Sequence, residues 1–366
     1  MKRILVNYLG RKGGAPIYSY EMTKGLLNNG CEVYAIIPST IDNLQDWKKL
    51  PLKKLVIINT YNSSITFLTG LLRFYLFDSI RIKKYFKGIK IDVCYIPMIQ
   101  PWSELINRLF PNSRKIVTLH DPKPHEGSGR IMNYLYRRVV KNADDIVLLS
   151  DSFIEYTKEE YGISDDQIFV IPHGVFDYYG RFESENIYRS NKINFLFFGR
   201  ITPYKGLELL AEAYNKLFEK NNDISLFIVG SGDFSKYDKL FKTENNTTII
   251  NEFIDDNKVV SYFRGNNIVT VLPYIDATQS GVIPIAMKER SLLIVSNTGG
   301  LLEQTDNGRL AVICEPTADS LYQAMERVTY NYEEFDEMID NAQAYIESLD
   351  WNSLSSRLVD IMENNK

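Results

Sequence analysis

Residues 193–232 constrain the fold more than any other stretch. Ile193-Asn194-Phe195-Leu196-Phe197-Phe198 is a short apolar run of the kind that forms a buried strand. It runs into Gly199-Arg200-Ile201-Thr202-Pro203-Tyr204-Lys205-Gly206, and then into a helical pattern that starts at Leu207. Leu226-Phe227-Ile228-Val229 is a second apolar run, stopped by Gly230-Ser231-Gly232. Strand, glycine turn, helix, strand, glycine turn is the repeating unit of a parallel α/β sheet. Such sheets bind ligands beyond the carboxyl ends of their strands. Arg200 and Lys205 lie in the first of these turns, bracketed by glycines that let a backbone approach a ligand closely. Two cations beside a helix N-terminus suit an anion, most naturally a diphosphate. Either one alone reads rather as a solvated loop charge; it is the pair in this frame that points to a ligand.

The same grammar opens the chain. A strand over residues 3–8 leads through Leu9-Gly10-Arg11-Lys12-Gly13-Gly14-Ala15 into a helix begun by Pro16, a favourable first-turn residue. A second strand follows over residues 31–37. The loop is not the dinucleotide Gly-x-Gly-x-x-Gly pattern, but Gly13-Gly14 can turn backbone N–H groups toward an anion. Further strands are predicted at residues 92–96, 115–119, 145–150, 168–171, 248–250, 268–272 and 293–296. Helices are predicted at 129–142, 151–161, 255–264, 318–328 and 332–348, with a last one from Asp350. The pairs Asp144-Asp145, Asp165-Asp166 and Asp255-Asp256 read as caps of neighbouring elements.

At 366 residues the chain is long enough for two domains, and 45% hydrophobic content supplies their cores. A net charge of −4 does not point to nucleic acid. The charge is uneven: residues 1–180 carry a net +6 and residues 181–366 a net −10, so the first half suits an anionic partner or membrane surface. Cys31, Cys94 and Cys314 have no metal or disulfide spacing, which predicts a reduced, cytoplasmic setting. No secretory leader is expected, because Met1-Lys2-Arg3 enters a strand directly. Residues 65–77 form the longest apolar segment, too short to span a bilayer and interrupted by Arg73. From Trp47 to Phe86 the chain is basic and aromatic. Leu71, Leu72, Tyr75, Leu76 and Ile80 follow a helical period among Arg73, Arg81, Lys83, Lys84 and Lys87. That pattern fits an amphipathic helix packed on its own sheet, and equally a surface docked on anionic headgroups at the inner face of the plasma membrane.

Gly199-Arg200 through Lys205-Gly206 resembles the donor-diphosphate motif of the family 4 retaining glycosyltransferases (glycosyl transferases group 1). The resemblance covers nearly the whole chain. It implies the GT-B fold: two facing Rossmann-like domains with parallel sheets, a cleft between them, and a C-terminal helix that crosses back to the N-terminal domain. The matching boundaries are an acceptor-binding domain at 1–175, a linker at 176–191, a nucleotide-sugar-binding domain at 192–346 and the returning helix at 347–366. Gly13 and Gly14 resemble the family's N-terminal glycine loop, which faces the donor phosphates. His120, at the end of a predicted strand, matches the position that contacts the donor sugar; with Arg200 and Lys205 it makes the catalytic set that the resemblance implies. His125, nearby, either lines the cleft or belongs to a plain loop. Pro172-His173-Gly174-Val175 resembles the interdomain Pro-Asn-Gly-Val, with His173 in place of asparagine. Gly199 and Gly230 would border the donor.

Pro273 to Val282 resembles the family's signature region, which carries two glutamates. Aligned on Gly281, Thr278 and Ala286 stand where those glutamates belong. Thr278 and Gln279 can still hydrogen-bond a sugar, and the backbone N–H groups of Gln279, Ser280, Gly281 and Val282 can receive a diphosphate. Ala286 offers no acceptor to a ribose. Asn297-Thr298-Gly299-Gly300-Leu301-Leu302-Glu303 matches the family's Gly-Gly-x-x-Glu loop, and Glu303 either compensates for a lost carboxylate or caps the next turn. The resemblance implies metal-independent transfer from a nucleotide-sugar, with no cofactor, to a saccharide or lipid-linked saccharide acceptor in bacterial surface polysaccharide synthesis. A non-catalytic sugar-nucleotide-binding or scaffold protein and a nucleotide-sugar epimerase are the competing classes.

Overall fold

A computed structural model describes residues 2–61, 64–123, 130–183, 185, 187 and 192–363. The chain divides into two compact units, one of Met1–Pro172 with Asp350–Lys366 and one of His173–Leu349.

The first unit holds a seven-stranded sheet: β1 (Arg3–Asn7), β2 (Glu32–Pro38), β3 (Lys54–Ile58), β4 (Val93–Ile96), β5 (Arg114–Leu119), β6 (Asp145–Leu148) and β7 (Ile168–Val170). Their order is β3-β2-β1-β4-β5-β6-β7 and every pairing is parallel. The second unit holds β8 (Ile193–Phe198), β9 (Ile224–Val229), β10 (Thr247–Ile250), β11 (Ile268–Leu272), β12 (Leu292–Ser296) and β13 (Val312–Cys314). These run β10-β9-β8-β11-β12-β13, again all parallel. Both sheets are Rossmann-like, and in both the strand order reverses beside the first strand, between β1 and β4 and between β8 and β11. Parallel strands are covered on both faces and so read as continuous apolar runs; β11 and β12 are buried at every residue.

In the first unit alternate strand residues Leu5, Ile36, Val56, Ile58 and Cys94 build one core with Phe74, Ile82, Phe86 and Trp102. Val117, Leu119, Ile146 and Leu148 build another with Val139, Val140 and Tyr161. In the second unit, helix Leu207–Lys220 buries Leu207, Leu210, Ala211, Tyr214 and Leu217, the three-and-four spacing of a one-sided helix. Its other side reaches helix Ala318–Tyr330, where Lys216 Nζ lies 2.7 Å from Asp319 Oδ1.

The last helix, Trp351–Glu363, packs on helix Gly14–Asn28 within the first unit. Gly25 permits the close approach, since a Cβ there would collide with Trp351 O and Ser355 Oγ. Asn29 Nδ2 donates to Asn352 O (2.9 Å) and Ser355 Oγ (2.9 Å). Arg114 donates to Ile361 O (2.9 Å) while its guanidinium grips Asp145 through two bonds of 2.5 and 2.7 Å.

That grip corrects the capping assignment of the aspartates. Asp145 is a strand residue held by Arg114, and Asp144 Oδ2 accepts from Lys115 N at 2.7 Å. Ser164, not the Asp165-Asp166 pair, caps the turn Asp165–Gln167, and Asp255 makes no side-chain cap. Two helices are also shorter than expected. Residues 255–264 split into Asp256–Val259 and a 3₁₀ turn, Val260–Tyr262. Residues 151–161 begin with a 3₁₀ turn, Asp151–Phe153, because Ser150 Oγ caps Ser152 N (3.2 Å). Within the stretch expected as a linker, Asp177–Arg181 is a 3₁₀ turn with Tyr178 and Tyr179 buried. Among the described residues no helix is long and apolar enough to cross a membrane.

Candidate functional site

The loops after β8, β9, β11 and β12 gather at the carboxyl edge of the second sheet, around the point where strand order reverses. Each strand ends where its apolar run ends, so the turn residues of four different chain segments become neighbours. Tyr204 O accepts from Ile275 N (2.8 Å), joining the β8 loop to the β11 loop. Ser231 O accepts from Ile201 N (2.9 Å), joining the β8 and β9 loops. Ala277 O accepts from Gly300 N (3.3 Å), and Ile275 O from Thr298 Oγ1 (3.2 Å), joining β11 to β12.

Such packing leaves no room for side chains at several of the glycines. Gly206 has φ 68° and a Cβ there would strike Pro273 O; Gly230 has φ 144° and a Cβ would strike Gly199 O. Both conformations are costly for any residue with a Cβ. Gly299 likewise abuts Ala277 O.

On this floor stand the two cations. Lys205 Nζ lies 3.5 Å from the centroid of the Tyr274 ring and 5.3 Å from that of Tyr204. Tyr274 is wholly buried, and its hydroxyl lies 3.3 Å from Ser280 Oγ. Burial pushes the Tyr274 phenol well above its ordinary range, opposed by the Ser280 hydrogen bond and the nearby Arg200 charge. The phenol therefore stays neutral and presents a π-face to the ammonium. Arg200 is exposed in the same turn, with no ion pair or hydrogen bond to its guanidinium among the described residues. Thr202 Oγ1, also in this turn, is buried with no hydrogen-bond partner among the described residues.

The signature stretch is held from behind. Ser280 N donates to Gln304 Oε1 (2.7 Å) and Gln304 Nε2 donates back to Ser280 O (3.3 Å). Val282 N donates to Ser280 Oγ (3.3 Å). Of the four N–H groups expected to face a diphosphate, those of Ser280 and Val282 are thus spent on the protein itself. Thr278 is buried at 6% exposure, and Ala286 has no exposed surface. Ala286 is enclosed within helix Val282–Lys288. Glu303 lies in the short helix Leu301–Gln304, whose Gly300 side is buried.

Sequence reasoning missed Gln304 and Tyr274. Gln304 follows Glu303, and nothing in a sequence shows that its amide meets Ser280, 24 positions away. Tyr274 was visible as an aromatic at a strand end, but its place under Lys205 depends on β8 and β11 being neighbours.

His173 is the first residue of this unit. Its Nδ1 donates to Gly174 O (2.9 Å) and its ring meets Phe176 edge-on at 4.7 Å. Phe176 in turn lies 3.6 Å from where a Cβ of Gly281 would stand. The remaining expected residues belong to the first unit. Gly13 and Gly14 are exposed at the start of helix Gly14–Asn28. His120 follows β5, buried, with Nε2 2.9 Å from Pro97 O and Tyr18 edge-on at 4.6 Å. A carbonyl only accepts, so Nε2 carries the proton. Burial lowers the His120 pKa below its ordinary 6.5, partly opposed by Asp121 and the Pro97 carbonyl, which keeps the ring neutral with Nδ1 as its acceptor. His125 lies outside the described residues. Among the described residues no group of three His, Cys, Asp or Glu side chains could hold a metal ion.

Comparison with known proteins agrees with this architecture. Residues 12–176 match the family model described as Glycosyltransferase Family 4, and residues 181–345 match Glycosyl transferases group 1. An uncharacterized glycosyltransferase of Methanocaldococcus jannaschii is 24% identical over 234 residues, which span 59% of this chain and 59% of that protein. The crystal structure of HepE from Anabaena in complex with UDP-glucose is similar with a TM-score of 0.72 at 14% identity, over 99% of this chain and 100% of that one. WaaG, a glycosyltransferase involved in lipopolysaccharide biosynthesis, is similar with a TM-score of 0.70 at 14% identity, over the whole of both chains. The chain therefore belongs to the family 4 glycosyltransferases, with the group 1 model in its second unit and the GT-B fold.

Proposed function

We propose that this protein transfers a sugar, with retention of configuration, from a nucleotide-sugar donor to a saccharide or lipid-linked saccharide in surface polysaccharide synthesis. The observation that carries this reading is the pairing of Arg200 and Lys205 in one turn, with Tyr274 seated beneath the ammonium. As the bond from the anomeric carbon to the diphosphate oxygen breaks, negative charge grows on the diphosphate. Preorganised cations stabilise that charge without reorganising. The donor phosphate would accept the incoming hydroxyl's proton as the diphosphate leaves. His120, neutral in the first unit, is proposed to contact the donor sugar.

HepE supports a uridine diphosphate sugar as the first donor to test, and WaaG supports a surface-polysaccharide setting. The two signature glutamates are proposed to be replaced in function: Gln304 holds the Ser280 backbone, and Gly299-Gly300 shape the donor loop.

The test is steady-state transfer, or donor hydrolysis without acceptor. A charge-assisted hydrogen bond is worth roughly 1.5–3 kcal/mol. Arg200→Ala and Lys205→Ala should each lower kcat/KM by about one to two orders of magnitude, with the fold intact by circular dichroism. Wild-type rates in both variants reject the diphosphate assignment. Interconversion of donor sugars without nucleotide release would mark an epimerase instead.

A further inference from the structure

The first unit carries a long helical segment that is apolar on two sides. Helix Ser64–Arg73, the π turn Phe74–Asp78 and helix Ser79–Tyr85 form one continuous rod. One side of it serves the core: Phe74, Asp78, Ile82 and Phe86, four residues apart, are all buried. The opposite side is equally apolar and faces out. Leu68 is 70% exposed, Leu72 63%, Tyr75 56%, Leu76 53%, Phe77 67% and Ile80 63%. In a regular α-helix a row spaced by four swings about 40° around the axis at each step. The π turn takes up an extra residue and offsets that swing, so both rows stay on their own sides. Soluble surfaces rarely expose a contiguous run of large apolar side chains without a partner.

The charges beside the row say which partner. Asp78 is the only acidic residue between positions 64 and 90. It is buried, and it lies 3.6 Å from Arg73 and 3.3 Å from Arg81. Arg81 also donates to Ile57 O at 2.8 Å, so these two arginines are tied to the protein. Lys83, Lys84 and Lys87, in the next turns, are exposed and make no ion pair among the described residues. Lys90 is 3.7 Å from Asp92. An outward apolar row flanked by unengaged lysines, with tyrosine at its border, is the composition of a helix lying in a bilayer interface.

We propose that residues 68–87 dock this protein on an anionic lipid bilayer, with the leucine row inserted among acyl chains and Lys83, Lys84 and Lys87 on lipid phosphates. This goes beyond the donor reading and stands without it. The experiment is co-sedimentation of the full chain with phosphatidylcholine vesicles, with or without phosphatidylglycerol. Wild type should pellet with the phosphatidylglycerol vesicles, and salt should weaken binding. Leu72→Glu with Leu76→Glu should abolish it. Lys83→Gln, Lys84→Gln and Lys87→Gln together should lower the affinity for phosphatidylglycerol vesicles by roughly a hundredfold and leave phosphatidylcholine unaffected. Circular dichroism and UDP binding of each variant should match wild type, which separates loss of docking from loss of the fold or of the donor site. Equal binding to both vesicle types, or binding that survives the glutamates, overturns the proposal. So does a wild-type dimer that the glutamates dissociate in the absence of vesicle binding, which would assign the face to a second copy of this chain.

Discussion

At the scale of residues, the proposed diphosphate site rests on how Lys205 is held over Tyr274. A cation over a desolvated ring is worth about 2 kcal/mol, enough to fix one rotamer of a flexible side chain. Tyr274→Leu should therefore cost roughly tenfold in kcat/KM. Tyr274→Phe, which keeps the ring and loses only the contact with Ser280, should cost less than half of that in free energy. Equal losses in the two variants would show that the hydroxyl, not the ring, matters. His120 offers a pH test. Its folded pKa is depressed by burial, so the unfolded chain binds the extra proton first on acidification. The stability linked to the neutral ring is complete above about 6.5 and falls as pH drops toward the folded value. His120→Gln should flatten that part of the thermal-stability profile; an unchanged slope would place the proton uptake elsewhere. Arg200 and Lys205 were legible in the sequence because their chemistry and the glycines around them sit within eight positions. Tyr274 and Gln304 were not, because their partners lie on other strands.

At the scale of elements, the carboxyl edge of the second sheet depends on turns too tight for side chains. Gly230→Ala must adopt a φ that costs about 1–3 kcal/mol and also meets Gly199 O. It should lower the melting temperature of the second unit and weaken nucleotide binding together. A variant as stable as wild type would mean that the β8 and β9 loops separate at little cost. Most strands were readable, because buried parallel strands are apolar runs between glycine turns. Strands β3 and β13 escaped notice. β3 opens on a half-buried Lys54, and β13 is only three residues long, so neither stands out from a loop. The aspartate pairs misled for a related reason: a carboxylate beside an element start reads as a cap until Arg114 is seen to claim Asp145 across two strands. The rod at residues 64–85 was legible as amphipathic, but its period could not show which apolar row faces the core.

At the scale of the whole molecule, the first unit is built from both ends of the chain. Trp351, Leu354, Leu358, Ile361 and Met362 are buried in helix Trp351–Glu363, and each buried apolar side chain contributes roughly 1.5–3 kcal/mol. A chain ending at Leu349 should lose cooperative unfolding of the first unit by calorimetry while the second unit keeps its own transition. Two unchanged transitions would mean that the returning helix is dispensable. The central functional claim is that the carboxyl edge of the second sheet receives the diphosphate of a nucleotide-sugar. Isothermal titration of UDP-glucose into wild type and into Arg200→Ala with Lys205→Ala tests it directly. Saturable one-to-one binding by wild type, weakened at least a hundredfold in the doubly substituted protein, is the predicted result. Binding of equal strength in both proteins would contradict it.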